Sequence, residues 1–136
     1  FGLDGDARLM MSTPLYSNTT LVAVLPVMVK GGTIISMSKF DTTRFLQLSQ
    51  DHRATHAMLV PVQYMRIMNA PDFDQYDLSA YKAKMSTSAP LPGPLIRDIV
   101  ARWPGGLFEV YGMTEGGITT GTKGRRSAEK LRNQVF

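Results

Sequence analysis

The sequence predicts an α/β fold in which a mostly parallel, five-stranded sheet carries helices on both faces. Short apolar runs alternate with segments of helical periodicity along most of the chain. Glycine, proline and aspartate separate these runs, as is typical of turns and helix ends. The chain has 136 residues, which is enough for one domain with its own core.

Five short apolar runs are predicted to be strands. They are residues 9–12, 33–37, 55–60, 82–86 and 107–110. In open parallel sheets, ligands bind beyond the carboxyl ends of the strands. Functional residues are therefore expected just after these runs.

The first predicted helix covers residues 19–30, with Ser17 or Asn18 as its cap and Gly31 as its stop. It is apolar nearly all round, which indicates burial on several sides. Pro26 lies inside it and is expected to kink the helix or to shorten its first half.

Three further helices are predicted between the later strands. Asp41 is expected to cap a helix that ends near residue 50, and Pro61 suits the first position of a helix that ends near residue 69. Apolar residues at helical spacing predict a fourth helix before the turn at residues 104–106. They are Leu95, Ile96, Ile99, Val100 and Trp103.

Composition excludes several classes of site. The chain has no cysteine, so it has neither a disulfide framework nor a thiolate ligand or nucleophile. No apolar run is long enough for a membrane span. No signal peptide is visible at the start, and we expect a cytoplasmic location.

The formal charge of +4 is concentrated at the end of the chain. Residues 121–136 carry five basic side chains and one acidic one, and the remaining residues carry equal numbers of each sign. This segment has no aromatic residue before Phe136, whereas single-stranded nucleic-acid sites combine positive charge with stacking rings. We predict a basic, mobile tail after an α/β subdomain of residues 1–120, and no nucleic-acid partner.

Two polar loops follow carboxyl ends of predicted strands, which favours a shared site. The first is residues 86–90, and the second is residues 111–115. In the second, Tyr111 can stack on a planar base, and Gly112 lets the backbone approach a phosphate. Thr114 can donate a hydrogen bond to that phosphate, and Glu115 can hold a divalent metal ion. A plain strand followed by a polar turn with one exposed glutamate is the alternative.

The segment Tyr111-Gly112-Met113-Thr114-Glu115 resembles the Tyr-Gly-x-Thr-Glu signature of the adenylate-forming (AMP-binding) enzymes. This superfamily includes acyl- and aryl-CoA synthetases, firefly luciferase and the adenylation domains of peptide synthetases. Other segments resemble its acyl-CoA ligases in the same order along the chain. They are Pro14-Leu15-Tyr16, Gly31-Gly32-Thr33, Lys39-Phe40-Asp41, Val60-Pro61, Tyr76-Asp77-Leu78-Ser79 and Ser86-Thr87-Ser88-Ala89-Pro90-Leu91.

The resemblance covers residues 9–117 and implies an AMP-forming carboxylic acid:CoA ligase that acts on a fatty or other hydrophobic acid. It implies ATP, Mg²⁺ and coenzyme A as cofactors or cosubstrates, and no particular oligomeric state. Thr114 and Glu115 are the implied catalytic residues, with Glu115 as the metal ligand. The implied nucleotide-binding residues are Ser88, Ala89, Pro90, Glu109, Tyr111, Gly112, Met113 and Thr114.

The acid side of the site departs from the family pattern. Thr87 and Ser88 stand where the family usually carries glycines, which narrows the site. Ser17, followed by Asn18, stands where many members carry a histidine near the acyl carboxylate. We expect these four residues to contact the acid, although Ser17 or Asn18 can equally act only as a helix cap.

Three motifs of the family have no counterpart in the chain. They are the upstream phosphate loop, the ribose-binding aspartate and the catalytic lysine of the small C-terminal domain. We therefore expect an interior section of the large N-terminal domain, inactive when isolated. An adenylation domain that loads a carrier protein, and a non-catalytic α/β module that binds a nucleotide or a protein, remain as alternatives.

Overall fold

The computed structural model describes residues 2–113 and 117–123. A six-stranded sheet has the order β2-β1-β3-β4-β5-β6, and its first five strands in sequence pair in parallel. The strands are β1 Arg8–Met11, β2 Thr33–Ser36, β3 His56–Leu59, β4 Ala83–Ser86, β5 Gly106–Met113 and β6 Gly117–Lys123. The prediction of an α/β fold with five strands in a mostly parallel sheet is therefore confirmed.

Strand β6 was not predicted. It pairs antiparallel with β5, and the register shifts between Tyr111 and Gly112. Its sequence is rich in glycine and threonine and lacks an apolar run, so the pairing with β5, rather than its own pattern, makes it a strand. The division of the chain at residue 120 stays a prediction: β6 extends to Lys123, and residues 124–136 of the predicted tail lie outside the described part of the chain.

Four α-helices connect the parallel strands. They are α1 Asn18–Val29, α2 Thr42–Asp51, α3 Pro61–Met68 and α4 Gly93–Arg102. The side chain of Asp41 accepts a hydrogen bond from the Arg44 N–H at 2.8 Å, and Pro61 occupies the first turn of α3, so both predicted helix starts are confirmed. Helix α1 continues through Pro26 to Val29 without the predicted shortening.

The sheet separates two apolar clusters. On one face, α1 packs Ala23, Val24 and Val27 against Leu9 and Met11. On the other face, α2, α3 and α4 pack around Trp103, and side chains such as Met10 and Leu107 complete this cluster. Helices therefore cover both faces, as predicted, because neighbouring strand residues point to opposite sides.

One helix surface differs from this interior. The outer side of α1 leaves Leu25, Met28 and Val29 exposed. Within the residues that the structure describes, no helix is both long and apolar enough to cross a membrane.

A buried lysine ties the amino end of β4 to the turn before β5. Lys84 is fully buried, and its Nζ donates to the carbonyls of Trp103, Pro104 and Gly105 at 3.0, 2.6 and 2.9 Å. The same Nζ lies 5.5 Å from the centre of the Trp103 ring. Burial disfavours the charged form and lowers the pKa of Lys84 to about 7.

Candidate functional site

A cleft of about 350 Å³ opens at the carboxyl ends of β4 and β5. The parallel register pairs Ser86 with Glu109, so the two predicted loops begin side by side. This volume lies at the lower end of the range for small-molecule sites. The cleft is lined by Ser86, Thr87, Ser88, Ala89, Pro90, Glu109, Val110, Tyr111 and Gly112.

Glu109 connects the two sides of this cleft. Its Oε1 accepts a hydrogen bond from the backbone N–H of Leu91 at 2.9 Å, across a sequence separation of 18 residues. The Leu91 side chain is buried in the cluster around Trp103. Glu109, predicted to bind the nucleotide, therefore lines the cleft but also holds the loop that follows β4.

The loop after β4 has an unusual backbone at Ser88, whose φ is +77°. This left-handed conformation favours glycine and is costly for other residues. The resemblance implied glycine in this loop, and the structure shows that Ser88 adopts a conformation suited to glycine. The neighbouring Thr87 N–H donates to the Leu59 carbonyl at 3.3 Å, which ties the start of the loop to β3.

Ser86 was not among the predicted site residues, although it begins the polar loop. Its Oγ is buried and, among the described residues, has no hydrogen-bond partner. Buried hydroxyls normally have such a partner, so an unpartnered one in a cleft points to a bound group or water. The sequence offered one signal for it: side chains alternate along β4, so Ser86 and the apolar Met85 point to opposite faces of the sheet.

The segment predicted as the second loop, residues 111–115, is described only in part, and its first three residues belong to strand β5 rather than to a loop, because they pair with β6. Tyr111 is 65% exposed, so its ring is accessible at the mouth of the cleft, beside Gly112. Met113 ends β5, while Thr114 and Glu115 lie outside the described residues. Within the described ranges, no group of three or more His, Asp or Glu residues could hold a metal ion. The predicted metal site therefore depends on Glu115.

The predicted acid-binding residues are divided between two places. Thr87 and Ser88 line the cleft, whereas Ser17 and Asn18 lie at the start of α1 and do not line it. Ser17 occupies the N-cap position, but its side chain makes no capping hydrogen bond. Ser17 therefore stands where the helix begins, but its hydroxyl does not act as the cap.

The carboxyl ends of β1 and β3 form a second junction, which is bridged by one side chain. Gln63 donates from Nε2 to Ser12 Oγ at 3.1 Å, and its Oε1 accepts from the Val60 N–H at 3.1 Å. Both Gln63 and Ser12 are buried. The polar groups at this junction therefore satisfy one another.

Comparison with known proteins identifies the family of the chain. The family model described as "AMP-binding enzyme" matches residues 1–134. The 4-coumarate–CoA ligase 1 of Solanum tuberosum is 37% identical over 85% of this chain and 22% of its own length. The chain thus spans about a fifth of the length of the curated relatives that it matches.

Solved structures show the same fold. The N-terminal domain of FACL13 from Mycobacterium tuberculosis has a TM-score of 0.87 at 24% identity, over 96% of this chain and 33% of that one. ATP-bound MatB from Rhodopseudomonas palustris has a TM-score of 0.78 at 30% identity, over 88% of this chain and 24% of that one. The chain therefore belongs to the family of AMP-binding enzymes.

Proposed function

We propose that the chain forms part of the adenylation site of an AMP-forming carboxylic acid:CoA ligase, within its large N-terminal domain. The full-length protein would convert an acid and ATP into an acyl adenylate and pyrophosphate, and would then transfer the acyl group to coenzyme A. The observation that carries this proposal is the cleft between β4 and β5, which contains residues of both family segments and a Ser86 hydroxyl with no hydrogen-bond partner among the described residues.

The proposed roles divide the cleft between nucleotide and acid. The exposed ring of Tyr111 would lie against the adenine, and Gly112 would leave room for the nucleotide. The loop of residues 87–90 would line the adenine and acid sites. Formation of an acyl adenylate depends on positioning and charge neutralisation, so these contacts are expected to act mainly by holding the reactants.

Two proposed roles come from the motif alone. Thr114 would donate a hydrogen bond to the α-phosphate, and Glu115 would be the protein ligand of Mg²⁺. When bound, Mg²⁺ would neutralise negative charge on the phosphates. The described carboxylate at the cleft, Glu109, already accepts the Leu91 N–H, which leaves Glu115 as the better candidate for the metal.

The acid is proposed to be hydrophobic, and an aromatic acid is favoured over a fatty acid because similar proteins are named 4-coumarate–CoA ligases. Ser17 and Asn18 would lie on the acid side. We also propose that the chain is inactive in isolation and that the full-length protein is cytoplasmic. Turnover by the isolated chain would contradict the first of these statements.

Acid-dependent ATP–pyrophosphate exchange by the full-length protein tests the proposal. The acids would be 4-coumarate, a long-chain fatty acid and acetate. We expect exchange with 4-coumarate, and a loss of about 100-fold or more in Glu115→Ala, comparable to removal of a transition-state contact. Glu129→Ala, which removes a carboxylate in the basic tail, serves as the matched control and should retain full exchange.

The outcomes separate the alternatives. Exchange without formation of a CoA thioester would favour an adenylation domain that loads a carrier protein. Exchange with the fatty acid alone would overturn the aromatic preference. The absence of exchange with every acid would favour a non-catalytic module.

A further inference from the structure

We propose that Glu109 is a positioning residue whose carboxylate holds the loop of residues 87–91 in the conformation that shapes the cleft. This inference rests on the proposed function, because one of its tests measures the KM for ATP in the ATP–pyrophosphate exchange assay. It gives Glu109 a role that acts through the loop rather than through direct contact with the nucleotide.

The hydrogen bond between Glu109 and Leu91 is placed to hold the far end of the loop. It joins Oε1 on β5 to a backbone N–H on the loop after β4, at 2.9 Å. A carboxylate is a stronger acceptor of a backbone N–H than a neutral oxygen. Since Ser86 and Glu109 are paired in the sheet, the carboxylate lies beside the strand from which the loop departs.

The backbone between the two ends of the loop requires such a restraint. Ser88 has a φ of +77°, and a non-glycine residue in the left-handed region costs about 1–3 kcal/mol. Such a conformation persists only where the surroundings hold it. Thr87 is tied to Leu59 at the near end, and Leu91 is tied to Glu109 at the far end.

The shape of the cleft depends on this same segment. Ser88, Ala89 and Pro90 are exposed and line the cleft opposite Tyr111 and Gly112. If the bond at Leu91 is lost, Ser88 can return to a negative φ and the three residues shift. The expected effect is weaker ligand binding, with a smaller effect on the chemical step.

Four variants of the full-length protein test this role: Glu109→Ala and Glu109→Gln, each with and without Ser88→Gly. In the exchange assay we expect Glu109→Ala to raise the KM for ATP about tenfold, with less than a threefold change in kcat. Glu109→Gln keeps an acceptor oxygen and should stay within threefold of the wild type. Ser88→Gly should restore most of the KM in the alanine variant, because glycine adopts a positive φ without strain.

Hydrogen exchange at the Leu91 amide provides a readout that does not need turnover. We expect the amide to exchange about tenfold faster in Glu109→Ala, and no more than about threefold faster in Glu109→Gln, whose neutral oxygen is a weaker acceptor. Unchanged protection in the alanine variant would overturn the proposal. An equal rise in KM in both single variants, without rescue by Ser88→Gly, would also overturn it and would assign Glu109 to the ligand itself.

These two readouts also separate this proposal from the proposed function. If the wild type shows no acid-dependent exchange with any acid, the proposed function fails. The protection of the Leu91 amide would still support or refute the role of Glu109 in holding the loop.

Discussion

The β1–β3 junction and the β4–β5 junction lie at the same edge of the sheet, but they treat their polar groups differently. At the first, Gln63 bridges Ser12 and the Val60 backbone. At the second, Ser86 Oγ has no partner among the described residues, and a cleft lies above it. We call the first junction closed, because its buried polar side chains bond to one another, and the second open, because a hydroxyl without a described partner lines its cleft.

This difference shows how far the fold alone locates a site. In the observed strand order, the connections change direction between β1 and β3, which is the usual crevice for ligands in open α/β sheets. The family loops instead meet two strands away, between β4 and β5. The topology therefore favours the β1–β3 junction, whereas the hydrogen bonding of buried polar groups favours the β4–β5 junction as the ligand site.

Opening the closed junction is expected to have the largest effect on stability. Gln63→Leu removes both hydrogen bonds and leaves Ser12 Oγ and the Val60 N–H without their partner, which should lower the free energy of unfolding by about 3 kcal/mol. Urea unfolding, followed by the fluorescence of the single tryptophan, measures it. Gln47→Leu, at an exposed position on α2, is the matched control and should stay within about 0.5 kcal/mol of the wild type. A change equally small in Gln63→Leu would mean that the bridge does not stabilise the junction.

The next prediction concerns Lys84, whose hydrogen bonds hold the amino end of β4, in contrast to the open junction at the carboxyl end of the same strand. The pKa of Lys84 is lowered to about 7, so between pH 7 and the pKa of about 10.4 of an unfolded lysine, the unfolded chain binds more protons. Stability should therefore rise with pH in this interval, by up to about 1.4 kcal/mol per pH unit.

Urea unfolding at pH 6.0, 7.5 and 9.0 measures this contribution by comparing the wild type with Lys84→Met. The wild type should gain stability relative to the variant as the pH rises above 7. A difference that stays constant from pH 6.0 to 9.0 would contradict the lowered pKa. Lys82→Met controls for the loss of a lysine, because Lys82 is exposed and directly precedes β4.

The smallest stability effect is expected at the open junction. Ser86→Ala removes a hydroxyl that has no partner in the described part of the protein, so the free energy of unfolding should change by less than about 0.5 kcal/mol or increase slightly. The KM for ATP or for the acid should nevertheless rise several-fold. A large loss of stability with unchanged KM would show that this hydroxyl serves the fold and not the ligand.

Local signals in the sequence predicted most of the fold. The cap at Asp41 and the helix start at Pro61 depend on neighbouring residues alone, and both are confirmed. Strand β6 has no such signal, because its glycine- and threonine-rich sequence lacks the apolar run by which the other strands are predicted. Lys84 is a further case, since nothing in its neighbourhood predicts a fully buried lysine whose Nζ donates to three carbonyls.

The sequence predicted which residues belong to the site, but not the contacts between them. It placed the two polar segments after the carboxyl ends of two strands, and the observed pairing of Ser86 with Glu109 shows that these segments lie side by side. The bond from Glu109 to Leu91 and the positive φ of Ser88 depend on that register, so no local pattern predicts them.

The division of the core by the sheet has a consequence for how the chain can vary. In the described part of the chain, the cluster beneath α1 and the cluster around Trp103 have no side chain in common. Substitutions at Val24 and at Ile99 should therefore have nearly independent effects. Substitutions in the cluster on one side of the sheet therefore need no compensating substitutions in the cluster on the other side.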